Sequence, residues 1–163
     1  MKKRQCTGVI IYRYNESDDD FEILLIKTRN FKDSAGNYLH TIVGGRIEET
    51  DEGTTIEQKA ESCAKREGWE EVRLGISELV YICMNTAVGK DIGYTDPEMQ
   101  FEFYEFAAKA EGKLDVLEIL QANNEVIYAG FHKRQELSSI PMDPQLRKMI
   151  ENVYAQAEKY FRK

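Results

Sequence analysis

Gly8-Val9-Ile10-Ile11-Tyr12 is an apolar run of strand length, and Phe21 to Ile26 is a second one beyond the acidic segment Asn15 to Asp20. Two such runs around a polar turn predict a β-hairpin. Tyr38 to Val43 reads as a short strand that stops at Gly44-Gly45. Residues Ile56 to Val72 change to helical spacing, and Thr54 to Glu57 has the spacing of a capping box. Leu79 to Thr86, Met99 to Ala108 and Val126 to His132 read as further strands, with Ala87 to Glu98 as a loop. Pro144 opens a last helix whose apolar stripe is Leu146, Met149, Ile150, Val153 and Ala157, a stripe suited to core packing. Strands and helices do not alternate regularly, and no G-x-G-x-x-G is present. The pattern predicts a mixed β-sheet between helices, not a doubly wound nucleotide fold.

The chain has 163 residues, 42% of them hydrophobic and 31% charged, and no repeat or Pro/Gly/Ser-rich linker. One domain over residues 1–163 is expected. The formal net charge of -7 argues against coating a nucleic-acid polymer, which needs a basic face. It leaves room for small phosphate-rich ligands bridged by metal ions. No apolar stretch approaches the roughly 20 residues that span a bilayer. Three cysteines, Cys6, Cys63 and Cys83, with no C-x-x-C spacing, fit a reducing cytoplasm and no zinc site.

The chemistry concentrates in Lys65-Arg66-Glu67-Gly68-Trp69-Glu70-Glu71-Val72. On a wheel turning about 100° per residue, Glu67, Glu70 and Glu71 fall within about 60° of Ile56, beside Ala60, Cys63 and Ala64. The acids therefore continue the inward stripe. Glu67 and Glu71 are an i, i+4 like-charge pair, and burial sharpens their repulsion. A hard divalent cation, Mg²⁺ or Mn²⁺, relieves it. Arg66 precedes Glu70 by four residues and is placed to pair with it. Taken alone, an E-x-x-E-E run is as well explained as a solvated helix face. Gly44-Gly45, directly after a strand, allow a sharp turn and a close ligand approach, and a free carbonyl there is a further candidate metal ligand.

Strand, Gly-Gly, acidic loop and Arg-Glu-x-x-Glu-Glu helix together resemble the Nudix box, G-x5-E-x7-R-E-U-x-E-E-x-G-U, with U a bulky apolar residue. Arg66-Glu67-Gly68-Trp69-Glu70-Glu71 carries the core of that pattern, and Leu74 its final apolar position. The early hairpin and the passage from Val126 to Leu137 into a terminal helix agree with it. The resemblance implies an α/β fold, a Nudix-type α/β/α sandwich with a mixed β-sheet. It implies a Mg²⁺-dependent (or Mn²⁺-dependent) hydrolase that cleaves the pyrophosphate linkage of a nucleoside diphosphate derivative: a nucleotide-sugar, dinucleoside polyphosphate or nucleoside triphosphate. Glu67, Arg66 and Glu70 are then the catalytic group. Glu67, Glu70, Glu71 and Gly45 are the metal ligands, and Gly44, Gly45 and Arg46 the substrate contacts. The partner is a small nucleotide, with no nucleic-acid polymer and no membrane; a homodimer stays open.

Three departures stand out. Counted forward from Gly45, the lone Glu of the pattern falls on Asp51; counted back from Arg66, it falls on Gln58, a difference of seven residues. Glu57 and Glu61 are the nearest substitutes. Gly68 replaces the bulky residue, and Arg73 stands where the pattern has Gly. The alternative class is a non-catalytic nucleotide sensor on the same fold. Glu98 and Glu102 are secondary candidates for the chemistry, and Tyr94, Phe101 and Tyr104 for stacking on a base. Asp143 is a candidate base reader or an N-cap. His40 and His132 are isolated along the chain.

Overall fold

The run Val9–Tyr12 is apolar at every position because its strand is covered on both faces. Alternate side chains of a strand point to opposite sides. Ile10 and Tyr12 join one hydrophobic cluster, while Val9 and Ile11 join the other. In the computed structural model, which describes residues 2–122, 124–142 and 144–161, this strand is β1 (Lys3–Asn15). Side chains at 149, 156–158, 160 and 161 lie outside the described set, so Met149 and Ala157 of the predicted stripe do too, as does Asp143. The chain continues through β2 (Asp20–Lys32), β3 (Tyr38–Thr41), β4 (Val43–Arg46), α1 (Ile56–Val72) and β5 (Gly75–Val88). Then come α2 (Gly89–Ile92), β6 (Gln100–Glu111), α3 (Val116–Ala122), β7 (Val126–Lys133), a 3₁₀ turn and α4 (Pro144–Phe161).

The sheet is mixed. Its main order is β3-β2-β1-β6-β5, with β4 also paired to β1 and β7 to β2. Only β1 and β6 run parallel; the other pairs are antiparallel. One face carries α1, whose Ala60, Ala64 and Val72 pack on Val9, Ile11 and Ile26. The other carries α4, with Leu146, Ile150 and Val153 against Ile10, Ile23 and Leu25. This is the expected α/β arrangement with helices on both faces. Among the described residues no helix is long and apolar enough to cross a membrane.

Four local expectations are corrected. Residues 38–43 are not one strand: the chain changes partner after Thr41, pairing with β2 before it and β1 after it. Gly44-Gly45 consequently lie inside β4, opposite Gly8 and Thr7, and are not a turn. The capping box is Thr55/Gln58, one residue later than Thr54/Glu57, because Gln58 Oε1 accepts from the backbone N–H of both Thr54 and Thr55. The segment from 87 to 98 is not all loop: β5 runs on to Val88 beside β6 and a single helical turn follows.

The two departures at the end of α1 have local consequences. A Cβ on Gly68 would meet Leu74 O at 3.5 Å and Ile76 Cγ2 at 3.6 Å, ordinary contacts. Gly68→Ala should therefore raise stability by about 1 kcal/mol through helix propensity and lost unfolded-state freedom. Arg73 caps the helix in the left-handed region (φ 53°), where a side chain is disfavoured. Arg73→Gly should raise the urea midpoint too, by up to about 1 kcal/mol in free energy, since its guanidinium stands 5.5 Å from the Trp69 ring and gives little back. A fall in the midpoint for Gly68→Ala would mean that the site needs the bare backbone there.

Candidate active site

Cys63, Ala64 and Ala60 are fully buried on α1 and fix which way the helix faces. One turn on, the wheel leaves the core and reaches β4. Glu71 is buried there, and its Oε1 accepts from Gly44 N at 2.9 Å. The Glu67 side chain is 12% exposed and lies against Gly45, where a Cβ would come within 2.2 Å of Oε1. A Cβ on Gly44 would meet Thr7 O at the same distance. Neither glycine has positive φ. They are needed for close approach, to β1 on one side and to the glutamates on the other. Glu70 departs from the wheel: its side chain is 54% exposed, at the rim.

Arg66 organises the acids. Its Nε and Nη2 reach Asp51 Oδ1 and Oδ2 at 2.9 and 3.2 Å. Nη1 donates to Glu67 Oε1 at 2.9 Å and to Glu70 Oε2 at 3.0 Å, and Nη2 also donates to Arg46 O at 3.0 Å. The acid facing Arg66 is thus Asp51, counted forward from Gly45. Gln58 is spent on the helix cap. Among the described residues, Arg66 makes no ion pair or hydrogen bond with Glu57 or Glu61; Glu61 stands beside Lys65.

Burial pushes the Glu67 carboxyl up to about 7, with Arg66 opposing and Glu70 reinforcing the shift. Burial also raises Glu71 well above the usual carboxylate range, followed by the charge of Glu67. For Asp51 burial acts upward as well, but the Arg66 hydrogen bond and charge, with the Glu48 N–H, hold it below the usual carboxylate range. Glu125, just before β7, also raises both Glu67 and Glu71 by its charge. Sequence spacing gave no hint of Glu125, which is 54 residues from Glu71 and is brought in by β2–β7 pairing.

These groups line a cavity of about 340 Å³. Gly44, Gly45, Arg46, Glu67, Glu70 and Glu71 all border it, as do Glu125 and Arg4. Its far wall is aromatic: Tyr94 stands edge-on to Phe101 at 4.9 Å, and Phe101 stacks on Phe103 at 5.0 Å. Tyr104 is on the other face, buried beneath α1. Glu98 and Glu102 do not line the cavity; Glu102 pairs with Lys3 and Gln5. His40 bonds Pro141 O, and His132 bonds Tyr128 and Glu136, both away from the acids. Among the described residues, no three acid, thiol or imidazole groups stand ready to enclose a metal ion. The side chains explain this, since Arg66 draws Glu67 and Glu70 and the Gly44 N–H takes one oxygen of Glu71. The donor set nevertheless fits a hard divalent cation: several carboxylates, of which Glu67 and Glu71 are pushed up first by burial and then by neighbouring acids.

The sequence model of the NUDIX domain matches residues 4–153. Among curated proteins, none matches the chain. Among solved structures, the NUDIX domain of Shewanella oneidensis NrtR complexed with ADP ribose is similar, at 14% identity and a TM-score of 0.71, over 99% of this chain and 90% of that one. A NUDIX hydrolase from Nitrosomonas europaea gives 16% and 0.63, over 94% and 90%. MutT NUDIX hydrolase from Burkholderia pseudomallei gives 16% and 0.60, over 91% and 98%. At such identities the likeness to these structures is one of fold.

Two outcomes follow from the charge arrangement. Asp51→Asn leaves a partly buried Arg66 without its two-pronged partner and should cost about 3 kcal/mol in a denaturant melt. Glu70→Gln removes only a rim contact and should stay within about 1 kcal/mol. Equal losses would give Glu70 the structural role. The second outcome concerns pH. Glu67 and Glu71 titrate above the ordinary 4.5, so the folded chain keeps protons that the unfolded chain releases. Cation-free protein should lose stability as pH rises from about 4.5 through about 7, the Glu67 window. Adding Mg²⁺ should flatten that slope; a slope of the opposite sign would mean that the carboxyls are not repelling.

Proposed function

The chain belongs to the Nudix family, and on that premise we propose that it hydrolyses the pyrophosphate linkage of a nucleoside diphosphate derivative, using a divalent cation. The observation that carries this reading is the meeting of Glu67, Glu70, Glu71 and Glu125 with an aromatic-walled cavity of about 340 Å³. That volume suits a nucleotide-sized ligand. Glu67, Glu70, Glu71 and Glu125 would hold Mg²⁺ or Mn²⁺, with the Gly45 carbonyl as a further ligand. Such a cation neutralises diphosphate charge and acidifies water at the attacked phosphorus.

The chain's own groups do the rest. Arg66 fixes Glu67 through Oε1, and Oε2 carries no hydrogen bond among the described residues. Glu67 Oε2, left free by Arg66, is suited to take a proton from attacking water. Glu71, tied to Gly44 N, holds the β4 backbone against α1, so that Gly44 and Gly45 present a bare surface to the diphosphate. Arg4 and Arg46 border the cavity and supply positive charge for phosphate oxygens. The stacked Phe101 and Phe103 and the edge of Tyr94 offer an apolar wall to the remainder of the ligand.

A second reading, a ligand sensor without turnover, is supported by the fold likeness to an NrtR domain described in complex with ADP ribose. One experiment separates the two. Purified protein with Mg²⁺ is incubated with ADP-ribose, dinucleoside polyphosphates and oxidised nucleoside triphosphates, and the products are resolved. Hydrolysis is expected at a diphosphate linkage with a nucleoside monophosphate among the products. Glu67→Gln should lower kcat by about 100-fold or more with the fold intact. Tight binding of one substrate that emerges uncleaved, with no turnover above the Glu67→Gln control, decides for the sensor.

A further inference from the structure

Glu105 is a buried acid bordering the cavity that the proposed hydrolysis does not use. It sits in the middle of β6, opposite Gly8 in the parallel pairing with β1, on the face away from α1. Its residue is 1% exposed, and neither carboxyl oxygen has a hydrogen-bond partner. Leaving a buried polar group unpaired costs about 1–3 kcal/mol, so the fold gains nothing from an acid here. Gly8 makes the space for it: a Cβ on residue 8 would lie 2.2 Å from Glu105 Oε2. The residue borders the same cavity as Glu67 and Glu71, near Phe101 and Phe103, which precede it on the same face of β6.

We propose that Glu105 is a specificity-determining residue: its unpartnered carboxyl in the cavity wall reads the base of a nucleotide ligand through a paired hydrogen bond to a ring edge where a donor stands beside an acceptor. The proposal rests on the nucleotide reading above but not on turnover. Burial pushes the Glu105 carboxyl up to about 8, opposed by the nearby Asn85 side chain, which acts on the carboxyl without meeting hydrogen-bond geometry. The Asn85 amide itself points to Cys83 Sγ at 3.7 Å. At neutral pH the group is therefore mostly the neutral acid, with one O–H to donate and one C=O to accept. A neutral acid in a dry wall matches an amide-like or amidine-like base edge, and a ligand without a base leaves it unpaired. The stacked Phe101–Phe103 pair on the same strand supplies an apolar surface for a planar ring. The charged end of the ligand then lies toward the α1 acids and its ring toward β6.

The test uses calorimetry in Mg²⁺ with AMP, GMP, CMP and UMP against ribose 5-phosphate, none of which needs to be hydrolysed. Wild type should favour at least one nucleoside monophosphate over ribose 5-phosphate by roughly tenfold or more. Glu105→Met should cut that preference several-fold, leaving the part that stacking supplies, while Glu105→Gln, which keeps a donor and an acceptor, should retain most of it. Glu105→Met should melt no lower than wild type, because an unpaired polar group has been replaced by an apolar one. No preference in wild type, an undiminished preference in Glu105→Met, or a clear fall in its melting midpoint overturns the proposal. Absence of turnover on the diphosphate panel would refute the hydrolase reading alone, since this ratio is measured without it.

Discussion

The site depends on how a single guanidinium is shared among acids. Arg66 bonds Asp51, Glu67, Glu70 and the Arg46 carbonyl at once, so it ties the loop after β4, the strand β4 and the helix α1 into one unit. Such a cluster is poor as a source of stability, because desolvating the charges offsets much of their attraction. It is better understood as positioning. One cation cannot neutralise four neighbouring carboxyls. Asp51, with the best geometry, is held low, while Glu67 and Glu71 are pushed up by burial first and by neighbouring carboxylates after it. A site left short of positive charge in this way favours the binding of more of it.

The same economy explains Gly44 and Gly45. Their sequence position after an apolar run suggested a turn, yet both lie in a paired strand with unexceptional φ. What they provide is thinness. β4 passes between β1 and α1, with Thr7 O on one side and the Glu67 carboxyl on the other, and no side chain fits in either direction. Sequence could reveal that glycine was required but not why, since strand pairing is a long-range property. By contrast, α1 was legible from Ile56 to Val72, because its signals are local: cap residues at one end and apolar spacing through the middle. Glu70 shows the limit of the wheel, which gives a direction but not where the neighbouring β4 ends. Glu125 was illegible for the reason that makes it interesting, as only the β2–β7 register brings it beside α1.

The ambiguity of the lengthened box is resolved by the side chains. Forward counting from Gly45 leads to an aspartate that reaches Arg66 with both oxygens, although it is one methylene shorter than the glutamate of the pattern. The extra residues therefore lie between that acid and Arg66, around Gly53 (φ 132°) and the first turn of α1. Gln58 is free to serve the cap of α1. The lengthening is absorbed where it does not disturb the acids.

A last constraint comes from the parallel pair β1–β6. Because β1 is covered on both faces, its even-numbered residues face α4 and its odd-numbered ones face α1, and β6 follows the same alternation in register. Phe101, Phe103 and Glu105 thereby share a face with Cys6 and Gly8, while Tyr104 is committed to packing under α1. Sequence reading named Phe101 and Tyr104 together as stacking candidates, but period-two geometry allows only one of them into the cavity. The cavity thus reaches from the acids of α1, around the edge of β4, to the α4 side of the sheet. Its acidic end and its aromatic end therefore lie on opposite sides of β4, which is the arrangement the proposed nucleotide ligand would meet.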